Sequence, residues 1–173
     1  MTRTLLTLAV LALFVLCLLA MWLGWQRRAR RQRAVLPAFP DVPSRLLEES
    51  VLLETTGVYV GTVNAGDWQD RITVGDIGHR AAGALRWYAS GLVIERTGAA
   101  TLWIPASSLV DARTDRALAG KVMGTEGLLV VRWRLGEYEL DTGFRGDDKA
   151  VYPQWIEMLR AAVPVENAHG QGK

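Results

Sequence analysis

The sequence predicts an N-terminal transmembrane helix followed by a mainly-β barrel or sandwich of about seven to nine antiparallel strands, with a C-terminal amphipathic helix. Three observations predict it. From Thr4 to Trp25 only Thr4, Thr7 and Gly24 fall outside the apolar set. From Val51 onward, short apolar runs are broken by Gly and Asp, the signature of successive strands. Beyond Asp148 the apolar spacing changes to three and four, as in a helix. The 173 residues accommodate one ordinary domain with an appendage. They divide into a span at 4–25, an Arg-rich flank and Pro-containing spacer at 26–50, a β domain at 51–163 with its helix at 148–163, and a polar tail at 164–173.

A helix over 4–25 is roughly 33 Å long, enough to cross a hydrocarbon core of ~30 Å. Trp22 and Trp25 stand at its C-terminal end, where indoles favour the membrane–water interface. A cleaved signal peptide would have a shorter apolar core followed by small residues. Here the run leads into Trp-Gly-Trp-Gln-Arg-Arg, which favours an uncleaved anchor. Arg27, Arg28, Arg30, Arg31 and Arg33 follow it, against Arg3 and the terminal amine on the other side. The positive-inside bias therefore places the N-terminus outside the cell membrane and the C-terminal domain in the cytoplasm. The same arginines explain the composition. The chain has 20 Lys+Arg against 18 Asp+Glu, and six of the arginines precede residue 34, where no acid occurs. The remainder holds 14 basic and 18 acidic side chains, a net of −4. The basic surplus is a topology signal, and it gives no support for a nucleic-acid partner.

Pro37, Pro40 and Pro43 recur at every third position, which favours an extended, solvated spacer. Ser44 is placed to cap a short helical turn through Glu49. Strands are expected near 53–63, 71–76, 84–89, 92–97, 101–105, 109–113, 118–123, 128–135 and 137–143. The last two are the clearest. Leu129, Val131, Trp133 and Leu135 alternate with Val130, Arg132 and Arg134. After Gly136, Tyr138, Leu140 and Thr142 alternate with Glu137, Glu139 and Asp141. Alternation with charges on one face reads as a half-buried hairpin with a solvated outer surface. Ser90-Gly91 suits a tight turn between 84–89 and 92–97. In the final helix, Asp147 or Asp148 is placed as the N-cap, Pro153 is tolerated in the first turns, and Arg160 suits the C-terminal end of the dipole. Trp87, Trp103, Trp133 and Trp155 are expected in the core.

The stretches Gly57-Val58-Tyr59-Val60-Gly61-Thr62, Gly66-Asp67-Trp68, Trp103-Ile104-Pro105 and Asp141-Thr142-Gly143-Phe144-Arg145, set in this architecture, resemble bacterial pleckstrin-homology-like domains over about residues 50–163. The whole chain is similar to small actinobacterial membrane proteins with one N-terminal span and such a domain. Its bias of 17 Arg to 3 Lys agrees with that source. The resemblance carries over no catalytic residue.

The residues themselves point away from catalysis. With one Cys, inside the span, and two His, the chain lacks the side chains for a zinc finger, and His79 and His169 have no partners for a nucleophilic triad. No catalytic residue, metal site or cofactor is expected. The expected function is a non-catalytic, membrane-anchored cytoplasmic interaction or scaffold domain, such as an accessory subunit of a membrane-associated complex. Its partners would be the lipid bilayer and an unidentified protein. The alternative is a small-ligand or lipid sensor using the barrel mouth, with Asp67, Trp68, Asp70 and Arg71 as the candidate loop. That loop holds two acids and one base, which disfavours phosphoinositide binding.

Overall fold

The computed structural model describes residues 2–67, 70–118, 121–122 and 127–165. Its first element, α1, runs from Thr2 to Val35. Within it, Leu6–Gly24 is long and apolar enough to cross a membrane. The helix does not stop at residue 25 as expected. Gln, Arg and Ala dominate residues 26–34 and are strong helix formers. The first obstacle is Pro37, which disfavours helical geometry at the residue before it. The 11 residues after Gly24 therefore extend α1 by about 16 Å.

The body is built on a seven-stranded antiparallel sheet in the order β4-β3-β2-β1-β9-β8-β5. Its strands are β1 (Leu53–Asn64), β2 (Ala81–Tyr88), β3 (Gly91–Arg96), β4 (Leu102–Pro105), β5 (Leu109–Asp115), β8 (Leu128–Leu135) and β9 (Tyr138–Gly146). The two-residue strands β6 (Ala117–Leu118) and β7 (Lys121–Val122) pair only with each other. The sheet is not closed, and β4 and β5 are its edges. Long β1 belongs to both halves. Residues 53–59 pair with β2 and residues 57–64 with β9, with a bulge between Tyr59 and Gly61. Such a bulge bends the strand and lets the sheet curl around one core.

Several expected elements take other forms. Residues 71–76 make no strand: Arg71 forms an isolated bridge to Val63, and Gly75–Gly78 is a 3₁₀ turn. Arg71-Ile72-Thr73-Val74 has strand-like composition, but it meets β1 only briefly, where Asn64 N–H donates to the Asp70 carbonyl and Ile72 N–H to the Thr62 carbonyl, before the chain turns at Gly75. The strand expected at 118–123 falls partly outside the described residues, and its described part is the β6–β7 pair. The β2–β3 turn is Ala89-Ser90, with Gly91 already paired to Tyr88. The β8–β9 turn needs Gly136, whose φ of 61° is open to glycine at little cost. The 3₁₀ turn Ser44–Glu48 follows Pro43, so Ser44 lies inside it and makes no cap bond.

The final helix, α2 (Tyr152–Ala161), starts four residues later than expected. Pro153 must occupy its first turn, and Val151 takes the N-cap position without a side-chain cap. Asp148 instead accepts the Ala150 N–H at 2.9 Å, and Asp147 accepts the Thr56 hydroxyl at 2.8 Å. Helix α2 lies along the edge strand β5. Tyr152, Trp155 and Leu159 form its buried stripe. Tyr152 Oη accepts the Gly146 N–H and donates to the Gly127 carbonyl, while Arg160 Nε donates to Asp111 Oδ1 at 3.0 Å.

Alternate residues of the curled sheet make one main core, including Leu85, Trp87, Leu92, Ile94, Leu129, Val131 and Trp133. Two smaller clusters cover its outside. Leu118 sits with Val60, Val63, Leu128 and Val130, lying over Gly143, where any Cβ would strike it. Leu46 sits with Val93 and Trp103. Trp87, Trp103, Trp133 and Trp155 are all buried.

The segment expected as a free spacer is instead laid onto the body. Leu36 and Phe39 pack against the main core, with the Phe39 and Trp133 ring centroids 6.0 Å apart. Pro37 lies beside Gly136. Farther along, Leu46 is buried, and Glu49 Oε2 accepts the Ser90 N–H at 3.1 Å. Prolines keep the strap extended, while its apolar residues anchor it. Leu46→Ser is expected to weaken that anchorage by about 1–2 kcal/mol, speeding tryptic cleavage after Arg45 by roughly tenfold through local opening. Cleavage kinetics of the full chain check it; an unchanged rate would show that Leu46 does not hold the strap.

Candidate functional site

The β1–β2 loop, expected at a barrel mouth, is braced onto β1. Asp67 N–H donates to the Asn64 carbonyl at 3.1 Å, and Asp70 N–H reaches the Asp67 carbonyl at 3.1 Å and its Oδ1 at 3.2 Å. Asn64 Nδ2 donates to Asp70 Oδ2, and Arg71 Nη2 donates to the Val60 carbonyl. Asp70 and Arg71 thus brace the loop onto β1, and exposed Asp67 shapes its turn. Trp68 lies outside the described residues, as do 166–173 of the tail. On α1, Trp22 is exposed, and Trp25, Arg27, Arg28, Arg30, Arg31 and Arg33 belong to its C-terminal continuation.

The body also holds a buried polar chain. Tyr59 Oη donates to the Ile77 carbonyl at 2.8 Å. Because a phenol has one proton, the 2.9 Å contact with Thr62 Oγ1 must be a bond that Tyr59 accepts. Thr62 has then used its proton, so Thr142 Oγ1 donates to it across 2.9 Å. Thr142 in turn accepts the Trp133 Nε1–H at 2.9 Å. The bonds therefore point one way, from Trp133 through Thr142, Thr62 and Tyr59 to Ile77. Burial pushes the Tyr59 phenol up to about 12, against the opposing hydrogen bond of Thr62 and the charges of Arg96 and Arg71. Every hydroxyl in the chain has both a donor and an acceptor, so the chain fixes β1, β8 and β9 together and presents no activated nucleophile.

Arg96, 6% exposed, closes the same end. Its guanidinium lies 4.9 Å from the centre of the Tyr59 ring. It donates to the Asp76 carbonyl at 2.7 Å and, through Nε at 2.8 Å, to the Ala100 carbonyl. It therefore clamps the β3–β4 loop to the β1–β2 connection. A cation held by carbonyl dipoles and a π face tolerates burial without a carboxylate partner.

The outer face of β5, β8 and β9 differs from the solvated surface expected. Asp141 is 3% exposed. It receives bidentate hydrogen bonds from Arg132 at 2.8 and 2.9 Å, and from Arg113 at 2.8 and 3.4 Å. Burial pushes its carboxyl up, but the bonds and charges of the two guanidiniums outweigh it and hold the group below the usual carboxylate range. Farther out, Arg134 meets Glu139 at 3.1 Å as a partly exposed pair. These are cross-strand charge pairs with their valences filled.

What the body leaves open is apolar. Outside α1, the exposed large hydrophobic residues among the described ones are Val42, Leu47, Val51, Leu52 and Val165. Four of the five fall within the strap and the entry to β1. Sequence reasoning missed this patch, along with the buried roles of Phe39, Arg96 and Asp141. A signal was available in Leu46-Leu47, an adjacent apolar pair in a short turn where only one member can face inward. Among the described residues, no group of three or more His, Cys, Asp or Glu is arranged to hold a metal ion.

The chain from residue 36 to residue 160 matches a family described as Bacterial PH domain-like. The match begins at the first residue of the docked strap. Among solved structures, the chain is similar to the C-terminal domain of an unknown protein from Leishmania infantum, at 18% identity over 68% of this chain and 86% of that one, with a TM-score of 0.42. No curated protein matches the chain.

Proposed function

As a chain that belongs to the Bacterial PH domain-like family, this protein is, we propose, a non-catalytic interaction module anchored by one N-terminal span to the cytoplasmic face of the cell membrane. The observation that carries the reading is the continuity of α1 with the strap. The apolar stretch Leu6–Gly24 continues as helix to Val35, and the next residues, Leu36 and Phe39, are already packed on the body. A domain joined this way would be held beside the bilayer, without a long free tether. Confinement raises the effective concentration of any partner in the same membrane. The arginines at 27–33 support placing the body inside, and they can rest against anionic headgroups.

The interior of the curled sheet favours this reading over a ligand sensor. Its hydroxyls form a hydrogen-bonded chain among bulky core side chains, and Arg96 clamps the loops at one end. Sidedness is tested by reporters fused after Lys173. A cytoplasm-dependent reporter is expected to be active and an export-dependent one silent; the opposite pattern would overturn the orientation.

A further inference from the structure

We infer that the apolar patch centred on Leu47 docks a second copy of this chain, across a two-fold axis. This assignment of a partner rests on the membrane-anchored interaction-module reading. The observation is the three-sided character of the 3₁₀ turn Ser44–Glu48. Residues three apart eclipse in such a helix. One side carries Leu46 and Glu49, which face the body and bind Val93, Trp103 and the Ser90 N–H. A second carries Leu47, which is 93% exposed. The third carries Arg45 and Glu48, both exposed and without an ion pair among the described residues.

An isologous interface must be self-complementary, because each residue meets its partner's counterpart through the same operation. Antiparallel apposition of two such turns fulfils that condition. Leu47 meets Leu47 at the axis, while Arg45 of each chain faces Glu48 of the other. Val42, Val51 and Leu52, close to this turn in the chain, are exposed as well. An apolar centre with a charged rim is the usual anatomy of a protein interface. A lipid surface fits less well, because Glu48 and Glu49 outnumber Arg45 at this turn and anionic headgroups would repel them.

The test uses the full chain carrying Cys17→Ser, which removes its one cysteine, together with Leu47→Cys. Alkali-washed membranes are oxidised with copper phenanthroline. A disulfide-linked homodimer is expected, since cysteines beside a two-fold axis come within bonding reach. Thr101→Cys, exposed on the β3–β4 loop, should stay monomeric. Arg45→Glu or Glu48→Arg alone should lower the dimerisation constant by about tenfold, and the double reversal should restore it. Cross-linking no greater than at position 101, or failure of the double reversal to restore it, overturns the inference. If Leu47→Cys stays monomeric yet is shielded from an impermeant maleimide, lipid or another protein covers the patch, and the inference is likewise wrong. Loss of the chain in the alkaline wash would count against the anchor instead. Oxidation of the unwashed preparation then decides self-association separately.

Discussion

Trp133→Ala is expected to lower the unfolding free energy by about 3–5 kcal/mol. This is the largest single effect the structure implies. The side chain is wholly buried in the main core, so its removal deletes packing and leaves a cavity. It also supplies the indole proton that begins the polar chain, and its ring meets Phe39 of the strap. Urea unfolding of the detergent-solubilised full chain, followed by near-ultraviolet circular dichroism, measures the loss. Thr142→Val separates the packing and hydrogen-bonding parts. It keeps the side-chain volume but strips Trp133 of its acceptor and Thr62 of its donor, and should cost about 2–3 kcal/mol. A loss below about 1 kcal/mol in Thr142→Val would mean that the chain of bonds contributes little.

Asp141→Ala carries the second large effect, at about 2–4 kcal/mol. Removing the carboxylate leaves two guanidiniums facing each other, with only the longer 3.4 Å contact of Arg113 to Asp115 as a direct counter-charge. Breaking a buried ion pair typically costs about 3–5 kcal/mol. Here Arg113 and Arg132 keep 28% and 26% of their side-chain surface in water, which moderates the penalty. The pH dependence follows from the direction of the Asp141 shift. Its folded pKa lies below the ordinary value of 3.8, so the ionised form is favoured by folding. The stabilisation is fully present above that ordinary value and is lost as the pH falls through the lower, folded one. Stability of the parent and of Asp141→Asn, compared between about pH 7 and pH 3, should converge toward the acid end. A gap that stays constant would mean that the carboxylate's charge is not what stabilises the fold.

The parts legible in the sequence were those governed by local periodicity. Leu129 through Leu135 and Tyr138 through Thr142 alternate so regularly that β8 could be placed at its bounds and β9 one residue early at its start and three short at its end, and Leu129, Val131, Trp133, Leu135, Leu140 and Thr142 on its inward face are buried. The N-terminal apolar helix and the stripe of Tyr152, Trp155 and Leu159 were legible for the same reason. What escaped depends on tertiary placement. Ile72 is an apolar residue in a strand-like run, but its burial comes from the connection that folds back along the end of β1. Asp141 sits on the alternate face that composition marks as solvated, and only the arginines of β5 and β8 brought together by the sheet enclose it. Phe39 lies among prolines that favour an extended chain. Their influence on backbone conformation was readable, while the affinity of the aromatic ring for Trp133 was not. The apolar patch shows the same limit, because Leu46 and Leu47 have identical side chains and only the turn's orientation buries one and exposes the other.

On the proposed function, an uncleaved N-terminal helix holds a PH-like body at the membrane. Intact-mass measurement of the chain extracted from alkali-washed membranes tests it most directly. The expected result is a 19.1 kDa chain retained with the bilayer, with α1 still attached. A chain shortened near the end of the apolar stretch and released into the soluble fraction would contradict it, showing that the helix is a leader and the body is free.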